Sequence, residues 1–118
     1  AGQAKIALDQ GPMIHSVRPA VDPLFTSAAE IFQAQCLGIV LTGMGSDGSL
    51  GAQKIKENGG AVLIQSEATC VVFGMPGAVF SSGAFDREAS PAEICQILKE
   101  KVLQLASAPG AKVKAGGR

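Results

Sequence analysis

Several residue types that mark particular protein classes are scarce or absent in this sequence. It has no tryptophan or tyrosine, one histidine and three cysteines in 118 residues. Cys36, Cys70 and Cys95 lie far apart and form no CxxC pair, which argues against a disulfide framework and against a zinc site. A reducing, cytoplasmic compartment is the simpler interpretation, and the sequence indicates no metal or other cofactor.

Charge is also sparse and shows no bias of sign. Ten basic and ten acidic residues give a formal net charge of zero, whereas nucleic-acid-binding proteins usually carry a basic excess or stripe. The longest apolar run, Leu37 to Leu41, is far shorter than the ~20 residues that a membrane-spanning helix needs. We therefore expect neither nucleic-acid binding nor membrane insertion.

The chain is rich in apolar residues instead. Hydrophobic residues make up 47% of the sequence and charged residues 17%, so little polar surface is available to cover the apolar excess. A chain of this length forms one small domain or part of a larger one. Composition therefore predicts a buried core, with further apolar surface covered by a missing N-terminal portion of the domain.

Apolar periodicity predicts strands that alternate with helices. The continuous apolar runs 37–42 and 61–65 are typical of strands buried on both faces, and a third short strand is predicted at Lys5–Leu8. Apolar residues at helical spacing predict helices at about 22–34, 49–58, 74–83 and 90–106. This order predicts an α/β fold, a doubly wound three-layer α/β/α parallel sheet of Rossmann-like type, here as an incomplete part. Residues 1–106 would form the domain part and 107–118 a disordered tail.

Two helix starts have specific signals. Asp22-Pro23 suggests Asp22 as the N-cap residue, with proline at the first helical position. Ser90-Pro-Ala-Glu93 predicts a capping box, in which the serine and glutamate side chains each bond the other residue's backbone N–H.

The loop between the two apolar runs carries the most informative pattern. Gly43-x-Gly45-x-x-Gly48 matches the dinucleotide-binding fingerprint, and Glu67 lies near the position of a ribose-binding carboxylate. Asp47 opposes that interpretation, because two like charges ~5 Å apart at an effective dielectric constant of 20 repel by roughly 3 kcal/mol. Asp47 follows a parallel strand, where open α/β sheets place active sites, although a cap of the following helix is the alternative.

Three segments together resemble the chemotaxis protein-glutamate methylesterases of the CheB type. Thr42-Gly-Met-Gly-Ser-Asp-Gly48 resembles their TGMG[NS]DG signature. Gln65-Ser-Glu-Ala-Thr-Cys-Val-Val-Phe-Gly-Met-Pro76 is similar to their Q-x-E-x-[ST]-C-V-V-F-G-M-P segment, and Arg18-Pro-Ala-Val-Asp-Pro-Leu-Phe25 to their RPSVDVLF stretch. The segments occur in the family's order, so the chain resembles the C-terminal portion of that catalytic domain.

The resemblance implies a cytoplasmic serine hydrolase of chemotaxis adaptation. It would demethylate glutamate methyl esters on the cytoplasmic domain of a methylated chemoreceptor and deamidate certain receptor glutamines. Asp47 would be the catalytic aspartate that orients the histidine, and the backbone N–H of Met44 would lie near the developing oxyanion. An N-terminal receiver domain, as in two-component systems, would gate the site by phosphorylation.

The sequence departs from the family pattern in one important respect. The family's serine and histidine motifs do not occur here, so the chain alone is expected to be inactive. We interpret His15 as a surface or packing residue. There are two alternative functions: a dinucleotide-binding module, or a non-catalytic interaction domain of the same fold.

Four further residues of these segments have predicted roles. Cys70 is expected to be buried. Arg18 is expected to bind a carboxylate of the fold, with a role in substrate binding as the alternative. Glu67 and Thr69 are predicted to lie on the loop after the second apolar run and to border the same cleft, although a loop carboxylate such as Glu67 is more often only solvated.

Overall fold

The computed structural model describes residues 4–14 and 17–107. Its strands are β1 (Leu37–Val40), β2 (Ala61–Gln65) and β3 (Arg87–Ala89). Its helices are α1 (Val21–Phe32), α2 (Ser49–Glu57), α3 (Met75–Ser82) and α4 (Pro91–Ser107). Short 3₁₀ turns follow α1 at Gln33–Gln35 and β2 at Glu67–Thr69.

The three strands form a parallel sheet in the order β1-β2-β3. Leu37 of β1 pairs with Ala61, and Leu63 of β2 pairs with Arg87. The two strands predicted from apolar runs are confirmed, with β1 ending at Val40 rather than residue 42. Periodicity missed β3, since this three-residue strand contains two charged residues and is defined by its pairing with β2 rather than by a pattern of its own.

Helices cover both faces of the sheet. Along β2, Val62 and Ile64 face one core and Leu63 faces the other, as the alternation of a strand requires. The first core is completed by buried side chains of α1, α2 and α3, namely Ala29, Ala52, Ile55 and Val79. The second core contains Ala89 and Ile94 and brings α4 onto the opposite face. The predicted three-layer α/β/α arrangement is therefore confirmed.

The two predicted helix caps have different outcomes. The capping box is confirmed, because the Glu93 N–H donates to Ser90 Oγ (3.2 Å) and the Ser90 N–H donates to Glu93 Oε1 (2.9 Å). The cap at Asp22 is wrong. Helix α1 begins at Val21 after an extended Ala20, and the Asp22 side chain bonds another helix instead.

The N-terminal segment forms no strand where one was predicted. Ile6 and Leu8 are both 95% exposed, and residues 4–10 have no strand partner within the described part of the chain. A strand requires a neighbour for its backbone hydrogen bonds, which local sequence does not reveal. His15 and residues 108–118 of the predicted tail lie outside the described residues, so those predictions stay predictions; Ser107, the first residue of that tail, is the last residue of α4. Among the helices described, none is long and apolar enough to cross a membrane.

Candidate active site

The loop that connects β1 to α2 contains the predicted site and lies at the carboxyl edge of the sheet. Gly45 and Gly48 have φ angles of +90° and +102°, in the left-handed region where other residues are strained. The chain turns sharply at both glycines, and Gly48 lies against Val21 at the start of α1. Asp47, between them in sequence, is only 8% exposed.

Both carboxylate oxygens of Asp47 accept hydrogen bonds from the first residues of α1. The Val21 N–H donates to Oδ2 (2.7 Å) and the Asp22 N–H to Oδ1 (2.9 Å). The first N–H groups of a helix have no acceptor within the helix. Asp47 therefore caps α1, and the interpretation that it caps the following helix is wrong because the glycine turns direct its side chain away from α2.

Asp22 completes a reciprocal arrangement that the sequence analysis missed. Its Oδ1 accepts hydrogen bonds from Gly48 N–H (3.0 Å) and Gly51 N–H (2.7 Å), at the start of α2. Asp47 thus caps α1, the helix that contains Asp22. Asp22 in turn caps α2, the helix that begins just after Asp47. The available signal was the position of Asp22 inside one of the three family-like segments, but its place before a proline favoured a local cap.

The second family-like segment is bonded directly to this loop. The Thr42 N–H donates to Gln65 Oε1 (2.8 Å), and Gln65 Nε2 donates to the Thr69 carbonyl (2.9 Å). Thr42 Oγ1 donates to the Val72 carbonyl (2.9 Å) and accepts from the Val72 N–H (3.0 Å). The two segments therefore form one unit at the carboxyl ends of β1 and β2.

Backbone contacts hold the glycine loop from the α3 side. The Gly43 N–H donates to the Val72 carbonyl (3.2 Å), and the Met75 N–H donates to the Gly43 carbonyl (2.9 Å). A Cβ atom at Gly74 would lie 2.7 Å from the Gly43 carbonyl oxygen and 3.0 Å from the Gly45 nitrogen. Only glycine at position 74 allows this close approach of the two loops.

Met44 lies between these fixed glycines with its side chain 80% exposed. Within the described part of the chain, its backbone N–H has no hydrogen-bond acceptor. On one side Gly43 is held by two backbone hydrogen bonds, and on the other Gly45 lies close against Gly74, so this N–H belongs to a constrained stretch of the loop. The side chain itself contributes nothing to that property.

The remaining sequence candidates lie outside this cluster or differ from expectation. Cys70 is half-buried rather than buried, because the chain crosses the surface here and Val71 is 92% exposed. Among the described residues, the Arg18 guanidinium donates to the Gly11 carbonyl (3.2 Å) and to no carboxylate. The Glu67 N–H donates to Glu88 Oε2 (3.4 Å) on β3, so Glu67 lies at the carboxyl edge of the sheet, where it is exposed.

The geometry disfavours the dinucleotide alternative. A pyrophosphate would use the free N–H groups at the start of α2, but Asp22 already occupies those of Gly48 and Gly51. The loop also contains the buried Asp47. A phosphate would have to displace one carboxylate and lie beside another.

Comparison with known proteins agrees with the three segments. The family model described as CheB methylesterase matches residues 2–98. The chain belongs to the CheB methylesterase family. The catalytic domain of Thermotoga maritima CheB methylesterase superposes with a TM-score of 0.77 at 43% identity, covering 79% of this chain and 49% of that one.

Curated relatives of this CheB chain match over a similar span. A protein-glutamate methylesterase/protein-glutamine glutaminase of Rhodopseudomonas palustris (strain BisB5) is 55% identical over 82 residues, which is 70% of this chain and 21% of that protein. The proteins of the same name from Maricaulis maris and Clostridium acetobutylicum are 55% and 52% identical, covering 74% and 70% of this chain but 22% and 24% of theirs. The chain therefore spans less than a quarter of the length of these relatives.

Proposed function

We propose that this chain is the aspartate-bearing part of a protein-glutamate methylesterase. The observation that carries the proposal is the buried Asp47, whose two oxygens are both fixed by backbone N–H groups at the carboxyl edge of a parallel sheet. The names of the relatives, methylesterase and glutaminase, indicate the two reactions. The substrate would be glutamate methyl esters, and certain glutamines, on the cytoplasmic domain of a chemoreceptor.

Asp47 would act on a histidine supplied by the rest of the domain. A carboxylate has about four lone-pair positions, and the N–H groups of Val21 and Asp22 use two of them. A further position remains for an imidazole N–H. Such a bond would hold the imidazole in the correct tautomer and stabilise the imidazolium that forms when it accepts the serine proton.

Met44 would contribute its backbone N–H to the oxyanion hole. Met44 is an exposed residue, and its N–H lacks an acceptor among the described residues and lies between the two loop glycines Gly43 and Gly45. Pre-positioned N–H groups stabilise the negative charge of a tetrahedral intermediate, because they need no reorganisation when the charge develops.

The reaction would then follow the serine-hydrolase sequence. The serine oxygen attacks the ester carbonyl while the histidine takes its proton, and methanol leaves with that proton. Water, deprotonated by the same histidine, attacks the acyl-enzyme and releases the glutamate carboxylate and the serine. With a glutamine substrate, ammonia would leave instead of methanol. We further propose a cytoplasmic location and control by an N-terminal receiver domain.

The test is methanol release from a methylated chemoreceptor by a complete methylesterase domain that includes this chain. Asp47→Asn should lower kcat on the order of 10⁴-fold, because the histidine loses the carboxylate that fixes its tautomer. Asp86→Asn is the matched control. Asp86 also accepts a backbone N–H, from Val62 (2.7 Å), but it lies at the opposite edge of the sheet.

The possible outcomes separate the alternatives. Unchanged release by Asp47→Asn would mean that Asp47 is only a helix cap. Absence of release by the unmodified domain would favour a non-catalytic interaction domain. Turnover by this chain alone would contradict the proposal that serine and histidine come from other segments.

A further inference from the structure

Asp22 is a buried carboxylate, 5% exposed, for which the proposed reaction has no assigned role. We propose that Asp22 is a positioning residue that fixes the catalytic aspartate, Asp47, for its histidine. This inference rests on the proposed function. It goes beyond that function by assigning a second acidic residue to the machinery.

The first support is that Asp22 holds Asp47 from two sides. The Asp22 N–H donates to Asp47 Oδ1 (2.9 Å), which fixes the carboxylate. The Asp22 carboxylate accepts the N–H of Gly48 (3.0 Å), the residue bonded directly to Asp47, which fixes the backbone. The two hydrogen bonds and the intervening covalent bonds close a ring, so neither end of Asp47 can move without breaking a contact to Asp22.

The second support is that Asp22 itself lies on a rigid corner between α1 and α2. Its carboxylate also accepts the Gly51 N–H (2.7 Å), one turn into α2. A Cβ atom at Gly51 would overlap Phe25 Cβ and lie 3.2 Å from the Asp22 carbonyl oxygen. The two helices are therefore in near-backbone contact here, and a rigid support is what a catalytic side chain requires.

A cap that only stabilised α2 would have a different consequence. It would affect the free energy of unfolding but not the turnover of molecules that remain folded. A positioning residue affects kcat, because a displacement of about 1 Å at the reacting groups can cost 10²-fold in rate. Substrate binding, and hence KM, should change little in either case.

The experiment compares Asp22→Ala with Asp22→Asn in the complete domain, using methanol release from a methylated chemoreceptor. Asp22→Ala should lower kcat by about 10- to 100-fold and change KM by less than about two-fold, since its N–H to Asp47 remains but the bonds to Gly48 and Gly51 are lost. Asparagine retains an Oδ1 that can accept both N–H groups, so Asp22→Asn should recover kcat to within about three-fold of the unmodified domain.

Asp86→Asn again serves as the control for lost stability. It removes an ion pair of 2.6 Å to Lys56 and should lower Tm without changing kcat. If Asp22→Ala does not fold, Asp22→Ser replaces it, because its shorter hydroxyl side chain cannot reach both N–H groups. All rates are measured well below the Tm of each variant.

Three results would overturn the inference. If Asp22→Ala, or its serine replacement, has the kcat of the unmodified domain while Asp47→Asn is inactive, the proposed function stands and the positioning role fails. If Asp22→Asn is as impaired as Asp22→Ala, hydrogen bonding to the two glycines is not the cause. If the unmodified domain releases no methanol, both the function and the inference are wrong.

Discussion

Replacing Gly74 with alanine tests whether the close contact of the two loops matters. The added Cβ would lie 2.7 Å from the Gly43 carbonyl oxygen, and 3.0 and 3.1 Å from the nitrogen and oxygen of Gly45. All three neighbours are backbone atoms, so no side chain can rotate away. The Gly43 carbonyl would have to retreat by about 0.7 Å to reach an ordinary contact distance of 3.4 Å.

Two opposing effects determine the size of the change. Gly74 has a φ of −77° and a ψ of −67°, which alanine adopts easily, so the lower entropy of the unfolded chain would favour alanine by about 0.4–1 kcal/mol. Overpacking costs about 1–3 kcal/mol and therefore wins. We expect a net destabilisation of about 1–2 kcal/mol and a fall in Tm on the order of 5 °C.

Gly83→Ala is the matched control. Gly83 has a φ of +76°, and no atom lies within 4 Å of the position of its added Cβ. Its cost is therefore backbone strain alone, about 1–2 kcal/mol, far from the glycine loop. Thermal unfolding should show a similar loss for both variants. Only Gly74→Ala should also lower kcat for methanol release, because it moves the Gly43–Gly45 backbone around Met44.

A Gly74→Ala variant as stable and as active as the unmodified protein would contradict this prediction. That result would mean that the loops separate without cost and that the close approach is incidental. Equal losses of kcat in both variants would mean that stability, and not the displaced loop, controls the rate.

Two further predictions concern the side of the molecule away from the site. Ser90→Ala removes the acceptor of the Glu93 N–H and should lower the free energy of unfolding by about 1 kcal/mol, measured by thermal or denaturant unfolding. The control Ser81→Ala, at an exposed helical position, should not destabilise the protein. Equal effects of the two variants would contradict the cap. Burial raises the pKa of Asp86, but hydrogen bonds from Lys56 and Val62 and the charges of Lys56 and Lys101 outweigh it, so the pKa is lowered. Its contribution to stability is therefore present above the ordinary aspartate pKa of about 3.9 and is lost as pH falls through the folded value. Asp86→Asn should be less stable than the unmodified protein at pH 7, by about 1 kcal/mol or less because the ion pair is partly exposed. The difference in Tm between the two proteins should vanish at acid pH. A Tm difference that does not change with pH would contradict this prediction.

The sequence predicted those parts of the fold that depend on local pattern. The strands around Ile39 and Leu63 are continuous apolar runs, and the helix from Ser90 carries its own capping box, so each could be located without knowing its neighbours. The strand Arg87–Ala89 and the cap of α1 could not be predicted. Both depend on partners more than twenty residues away, β2 in one case and Asp47 in the other.

The candidate site shows the same division. Asp47 and Met44 were predicted from a resemblance to family motifs, and the structure places them on one loop at the carboxyl edge of the sheet. The reciprocal role of Asp22 was missed, since Asp-Pro at a helix start ordinarily indicates a cap of its own helix. No periodicity or spacing indicates that two distant aspartates exchange helix caps.

The side chain of Gln65 has a consequence for which residues position 65 can accept. Its oxygen faces a group that can only donate, the Thr42 N–H, and its nitrogen faces one that can only accept, the Thr69 carbonyl. The side chain at this position must therefore accept at one end and donate at the other. Gln65 is only 5% exposed, so an unmatched polar atom of this side chain would be poorly hydrated. Glutamate would direct an oxygen at a carbonyl, and methionine, of similar length, would remove both the bond to the Thr42 N–H and the bond to the Thr69 carbonyl. Among side chains of this length, glutamine alone can make both of these bonds, so substitution at position 65 is restricted by hydrogen-bond direction rather than by size.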